Sequence, residues 1–224
     1  MSKEFSELHR RILKLRSVHL RALASFNAFE QIQIMRAPNV VGRENAARNA
    51  RAMGAYKGFF NTAEKALNLE FLISLAKLFD NHKDALHIDK LVNFAEQNQR
   101  SFTAEDFAEY NEGRIYLAEL KDAYEGMKRE DLLEVKNELA NVEEITAKLK
   151  IMRDKLLAHI ELNEPVLDEI TYEEIAMLIN TSERILNLVS SKVNHDTAYF
   201  GAYQEQVIED TRRLIGLVRK SEDR

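Results

Sequence analysis

The residues of this sequence best suited to chemistry lie in one run, Ile151-Met152-Arg153-Asp154-Lys155-Leu156-Leu157-Ala158-His159-Ile160-Glu161-Leu162. There a cation, a carboxylate and an imidazole fall together on an otherwise apolar helix. The apolar stripe of that helix passes through Leu132, Val135, Leu139, Val142, Leu149, Met152, Leu156 and Ile160. At about 100° per residue, Arg153 projects roughly 60° to one side of the stripe and His159 roughly 60° to the other. Asp154 points nearly the opposite way. The two basic groups are about 9 Å apart along the axis, so a long guanidinium arm and an imidazole both reach a phosphate held between them. His159 also sits in the last turn before Asn163-Glu164-Pro165 stops the helix. The partial negative charge of a helix C-terminus favours the imidazolium there, which suits a general acid or a phosphate contact. The Arg-to-His spacing alone carries no weight, because both residue types are common enough here for it to arise by chance.

The rest of the chain reads as the helical scaffold for this run. Residues 3–36 form one long helix, with Phe5, Leu8, Ile12, Leu15, Val18 and Ala22 recurring at spacings of three and four. Arg10, Arg11, Lys14, Arg16 and Arg21 lie between them as a basic face, either solvated or touching RNA phosphate or a partner. Pro38, Asn39 and Gly42 end that helix. A second long helix over 44–80 has a basic start at Arg43, Arg48 and Arg51. Gly54 and Gly58 stand four apart on one face and are read as helix packing. Its second half, from Leu67 to Asp80, is apolar on nearly every side and is expected inside a bundle. A short helix is expected at 88–99. Thr103 to Asp106 resembles a capping box opening a helix to Met127, the next helix covers 129–162, and Thr171-Tyr172-Glu173-Glu174 is a better box opening a helix to Asn194. The last helix runs over 198–220. These make one all-α domain spanning 1–224, a bundle of about seven helices, in which 1–64 forms a projecting helical hairpin.

Composition excludes several classes. Seven Gly and two Pro in 224 residues are too little punctuation for a β-rich fold, and 45% hydrophobic content supplies a proper core. The net charge of −5 gives no global attraction to nucleic acid, so RNA would need a local basic patch. The chain has no Cys, which removes disulfides, thiolate nucleophiles and thiolate metal sites and fits a reducing compartment. No His has a Glu three residues before it, as di-iron bundles require. No His-Glu-x-x-His, Gly-rich phosphate loop or Gly-x-Ser-x-Gly elbow occurs. His82 and His87, with Asp80, Asp84 and Asp89 nearby, read as a polar solvated loop, and His9, His19 and His195 as surface or capping residues. No metal and no cofactor is expected. No run approaches the roughly 18 apolar residues of a membrane span, and charge begins at Lys3, so the expectation is a cytoplasmic protein with no membrane contact.

Arg153-Asp154-Lys155-Leu156-Leu157-Ala158-His159 resembles the signature of the HEPN superfamily: an Arg, a polar residue, then a His a few positions on. With Lys after Asp and Ala before His, the form is similar to the abortive-infection U-type (AbiU-like) branch. Ser74-Leu75-Ala76-Lys77-Leu78-Phe79-Asp80, followed by Leu86-His87-Ile88-Asp89-Lys90-Leu91-Val92, resembles the same branch. The likeness is strongest over 65–162. It implies an all-α bundle that dimerises so that two motifs face one cleft, and a metal-independent endoribonuclease of a defence or toxin type. His159 would be the general acid or base for attack of a ribose 2′-hydroxyl on the adjacent phosphate. Arg153 would hold and neutralise that phosphate, and Asp154 would orient its neighbours. The implied partners are RNA, a second copy of the chain, and an antitoxin or defence protein. Some members carry a Tyr two residues after the His, the target of adenylylation by a partner nucleotidyltransferase. Glu161 stands there in this chain, which argues against that control. Other members serve as non-catalytic interaction modules, and that alternative stays open for this sequence. So does a ligand-binding bundle using Arg43, Arg48 and Arg51.

Overall fold

A computed structural model describes residues 1–80, 82–158 and 170–222, with 155–158 described by backbone only. Among the described residues there are eleven α-helices, one short 3₁₀ turn and no strand. They are α1 (Lys3–Ile34), α2 (Pro38–Val41), α3 (Arg43–Ala55), α4 (Lys57–Phe79), α5 (Ile88–Gln97), α6 (Ala104–Tyr110), α7 (Leu117–Asp122), α8 (Arg129–Ala140), α9 (Glu143–Ala158), α10 (Tyr172–Asn194) and α11 (Gly201–Glu222). The all-α fold is as expected, while the helix number is higher for a specific reason. Three of the expected helices are each two, and Pro38 opens a single extra turn at its favoured first helical position.

The breaks leave the apolar period nearly undisturbed, so periodicity could not reveal them. Leu132, Val135, Val142, Ile145 and Leu149 are all buried, at successive spacings of three, seven, three and four, so the two-turn period carries across the turn at Asn141–Val142 that parts α8 from α9. Likewise α3 ends at Tyr56, where the backbone leaves the helical region, and α4 starts one residue later. This overturns the packing role expected of Gly54 and Gly58. Both are exposed, nothing lies within 4 Å of where a Cβ would stand on either, and they flank the break instead of seating a neighbouring helix. Between α6 and α7 the chain turns through Gly113 (φ 84°) and Tyr116 (φ 60°), left-handed conformations that no helical period contains.

Met1–His19 with Leu75–Ala198 form one compact unit, and Leu20–Ser74 with Tyr199–Arg224 form another. In the first unit Phe5, Leu8, Ile12, Leu15, Leu75, Leu78, Ile88, Leu91, Phe107, Leu149 and Leu178 are at most 1% exposed, which makes it the better-filled core. Phe5 packs edge-on to Phe102 with ring centroids 6.4 Å apart, and Phe107 stacks on Tyr124 at 4.8 Å. In the second unit Ile32, Met53, Phe60 and Ile215 form a cluster, and Phe26 and Phe29 both meet the ring of Phe71. Arg36 pairs with Glu64 at 2.8 Å, and Arg212 donates to Gln31 at 2.9 Å.

Both expected caps form. The Asp106 amide donates to Thr103 Oγ1 at 3.2 Å, and the Asp106 carboxylate also accepts from the Ser2 amide. At α10 the box is complete, with Glu174 N–H donating to Thr171 Oγ1 at 3.1 Å and Thr171 N–H to Glu174 Oε2 at 2.9 Å. Replacing Thr171 by Ala removes one half of that exchange. It is expected to cost about 1 kcal/mol of stability by urea unfolding, and an unchanged midpoint would show that the cap contributes nothing.

Candidate functional site around Arg153

Helix α9 carries Arg153, and its placement follows from its neighbours. Leu149, one turn earlier, is 1% exposed and anchors the buried face, while Ile151 is exposed. Lys148 reaches α10 through an ion pair with Glu174 at 2.6 Å. Glu174 thereby serves both the cap of α10 and the attachment of α9. Arg153 flanks the buried face and lies beside the end of α4.

There its guanidinium meets two carboxylates. Nη1 donates to Asp80 Oδ2, and Nε donates to Asp154 Oδ1 at 2.9 Å, with Nη2 bonded to the same oxygen. The Arg153 and Asp80 side chains are 19% and 18% exposed, and Asp154 is 55% exposed, so the Asp80 contact is the sheltered one. Asp80 directly follows the last residue of α4, where its charge opposes the negative end of the helix dipole. The guanidinium offsets that cost. The hydrogen bond to Asp154, with the nearby charge of Asp80, pushes the Arg153 pKa up from an already high value, so this side chain is a permanent cation. These bonds occupy three of its five N–H groups, and two remain for an oxyanion.

A cavity of about 180 Å³ opens beside this ion pair. Ala76 and Phe79 of α4, and Thr146, Ala147 and Lys150 of α9, line it together with Asp80, Glu143 and Arg153. The lining is apolar at its α4 wall and carries two cations and two carboxylates elsewhere.

Of the residues predicted from sequence, Arg153 and Asp154 are adjacent and bonded, and Asp154 faces outward as its wheel position implies. His159 lies outside the described residues. Asp80, read from sequence as part of a polar solvated loop near His82 and His87, is instead the sheltered partner that fixes Arg153. The only signal for it was its place at the end of the Leu78-Phe79-Asp80 run.

Other expectations change. His87 is not part of a solvated loop: it is 1% exposed at the N-cap of α5, and burial pushes its pKa down. His19 is not a surface residue: it is fully buried with Nδ1 2.8 Å from Ser182 Oγ. Arg16 leaves the basic face of α1, being 8% exposed and paired with Asp196 at 2.7 Å. His9 lies half-buried against Tyr110, to whose hydroxyl its Nε2 is bonded, and burial lowers its pKa too. His195 does cap α10, in a left-handed conformation. Each moved residue sits on a face that a second element covers, which a single-helix reading cannot see. Among the described residues no three His, Asp or Glu side chains are grouped so as to hold a metal ion.

The HEPN family model described as AbiU2 matches residues 5–214, nearly the whole chain. No curated protein and no solved structure matches.

Proposed function

This chain belongs to the AbiU2 family of HEPN proteins, and from that premise we propose that it is a metal-independent endoribonuclease of an abortive-infection type. The observation that carries the reading is Arg153: a permanent cation held at the rim of a small cavity by Asp80 and Asp154, with two N–H groups to spare. Those donors bind the non-bridging oxygens of an RNA phosphate. The adjacent ribose 2′-hydroxyl attacks phosphorus, giving up its proton, while the bond to the 5′-oxygen breaks and that oxygen takes up a proton. The products are a 2′,3′-cyclic phosphate and a 5′-hydroxyl end. His159 is the group assigned to this proton transfer. Negative charge builds on the phosphate oxygens as phosphorus becomes five-coordinate, and Arg153 offsets it where it develops. The active form is a homodimer, and a partner protein restrains it in the cell.

The test is incubation of purified protein with mixed cellular RNA in EDTA, comparing wild type with His159→Ala. The expected result is fragments ending in 2′,3′-cyclic phosphate for wild type alone. Equal cleavage by both, or none by either across several buffers, sinks the reading. Expression should also slow growth for the wild type and not for the variant.

A second reading, a non-catalytic interaction module, is favoured by one feature. Arg153 already has two carboxylate partners, the environment of a structural ion pair. On that reading Arg153→Ala and His159→Ala leave the biological effect intact.

A further inference from the structure

The first unit has a second charged cavity, of about 220 Å³, where α1 passes the start of α5. Arg10, Arg11 and Lys14 line it from α1, Lys90 from α5, and Asp84, Ala85 and Leu86 from the connection between α4 and α5. Glu7 is its other acidic residue. Four cations therefore meet two carboxylates, in a chain whose net charge is −5. The excess is not scattered surface charge, because the central cation is built in. The Arg11 guanidinium lies 4.2 Å over the Phe94 ring, donates through Nε to Glu7 Oε1 at 2.7 Å and donates to the Lys90 carbonyl at 3.4 Å. Glu7 divides itself between Arg11 and Arg10, whose Nε donates to it at 2.8 Å. Lys14 is exposed at the rim, and the Lys90 ammonium is tethered to the Lys83 carbonyl. A guanidinium fixed in advance loses little freedom on binding an anion, with the tethered Lys90 ammonium beside it and the exposed Lys14 ammonium free to close over one.

We propose that this cavity binds a backbone phosphate of an RNA strand whose scissile phosphate lies at Arg153. The proposal rests on the ribonuclease reading above. It adds the site that supplies the local positive charge which the acidic chain as a whole lacks. The connection lining the cavity begins four positions after Asp80, the partner of Arg153, so one segment serves both places. A phosphate bound here carries no sequence information, and it sets the register of the strand.

The experiment measures binding, not cleavage. A fluorescent single-stranded RNA with 2′-O-methyl groups throughout cannot be cut by 2′-hydroxyl attack. Its affinity for the full chain is followed by anisotropy from 0.05 to 0.3 M salt (about the range over which phosphate contacts are lost). The variant is Lys14→Gln/Lys90→Gln, with Lys65→Gln/Lys220→Gln as a control of equal charge. The double variant is expected to bind about fivefold more weakly at 0.1 M salt, with a log–log salt slope shallower by about 0.7, while the control keeps the wild-type slope to within about 0.3. Equal slopes for the two double variants, or no RNA binding by wild type, overturn the proposal. A second arm titrates inorganic phosphate against the same proteins by calorimetry. Millimolar or tighter binding lost only in Lys14→Gln/Lys90→Gln, with RNA affinity unchanged, assigns the cavity to free phosphate and also overturns it. The methylated RNA bound with the expected salt slope, while unmodified RNA stays uncut in the EDTA test above, keeps the cavity as an RNA-phosphate site and sinks the ribonuclease reading, so the two fail separately.

Discussion

Arg153→Ala is expected to lower RNA cleavage by about 10²–10³-fold while leaving the chain folded. That is the size of effect seen when one charge-stabilising donor is removed from a reaction centre. Among the described residues Arg153 presents the only guanidinium lining the cavity beside Asp80, and none of the others there can donate in its fork geometry. Arg153→Lys keeps the charge, loses the fork, and should recover activity only in part. Removal of the side chain also leaves Asp80 without its ion-pair partner at a helix C-terminus. A stability loss of about 1–2 kcal/mol should accompany it, because that contact is largely shielded from solvent. Asp80→Asn separates the two effects. It weakens the same contact but also removes the carboxylate charge from the helix end, so it destabilises by less, and the amide oxygen still accepts from Nη1 and holds the guanidinium in place. Its cleavage is expected to fall by less than about tenfold. Initial rates on a labelled RNA, with urea unfolding of each variant, read both quantities. Cleavage by Arg153→Ala within about threefold of wild type would remove Arg153 from the reaction.

The second large effect concerns acid stability and rests on His19. This imidazole is fully buried, with Nδ1 2.8 Å from Ser182 Oγ and Nε2 3.9 Å from Glu183. Burial pushes its pKa down to about 4 from the ordinary 6.5. Below pH 6.5 the unfolded chain takes up a proton here that the folded chain refuses. Stability from this group is therefore complete above pH 6.5, is lost as pH falls toward 4, and levels off below that. The shift corresponds to about 3 kcal/mol at the acid end. Glu183 acts with the opposite sign. Burial pushes its pKa up, so its contribution is present at low pH and is lost as pH rises above the ordinary carboxylate range. Comparison with His19→Gln isolates the histidine, since glutamine can still bond Ser182 and does not titrate. Urea unfolding at pH 7.5, 5.5 and 4 (roughly spanning the titration window) should give curves for the two proteins that diverge by about 3 kcal/mol toward acid. Parallel curves would mean that His19 gains its proton without loss of structure.

The two predictions differ in how far the sequence anticipates them. Arg153 and Asp154 were legible as a pair because helix geometry is local: 100° per residue and one apolar stripe suffice to place them at the edge of a buried face. The Thr171 cap and the limits of α1, α5, α10 and α11 were legible for the same reason. His19 was not. It stands one residue beyond Val18 on a helix whose basic residues made that side look wet, and only the approach of α10 with Ser182 and Glu183 buries it. Arg16 is the same case, turned inward by Asp196, which is distant in sequence.

By itself, the sequence determined the helical class, the apolar faces and the residues able to do chemistry, since each depends on spacing within one helix and on side-chain type. Tertiary structure alone decided what those residues face. It set Asp80 against Arg153, joined Lys90 to the cations of α1 around one cavity, and buried His19 and His87. Contacts of this kind join elements tens of residues apart in the chain. They depend on how stripes meet, and a stripe constrains its own helix without naming the helix that will cover it.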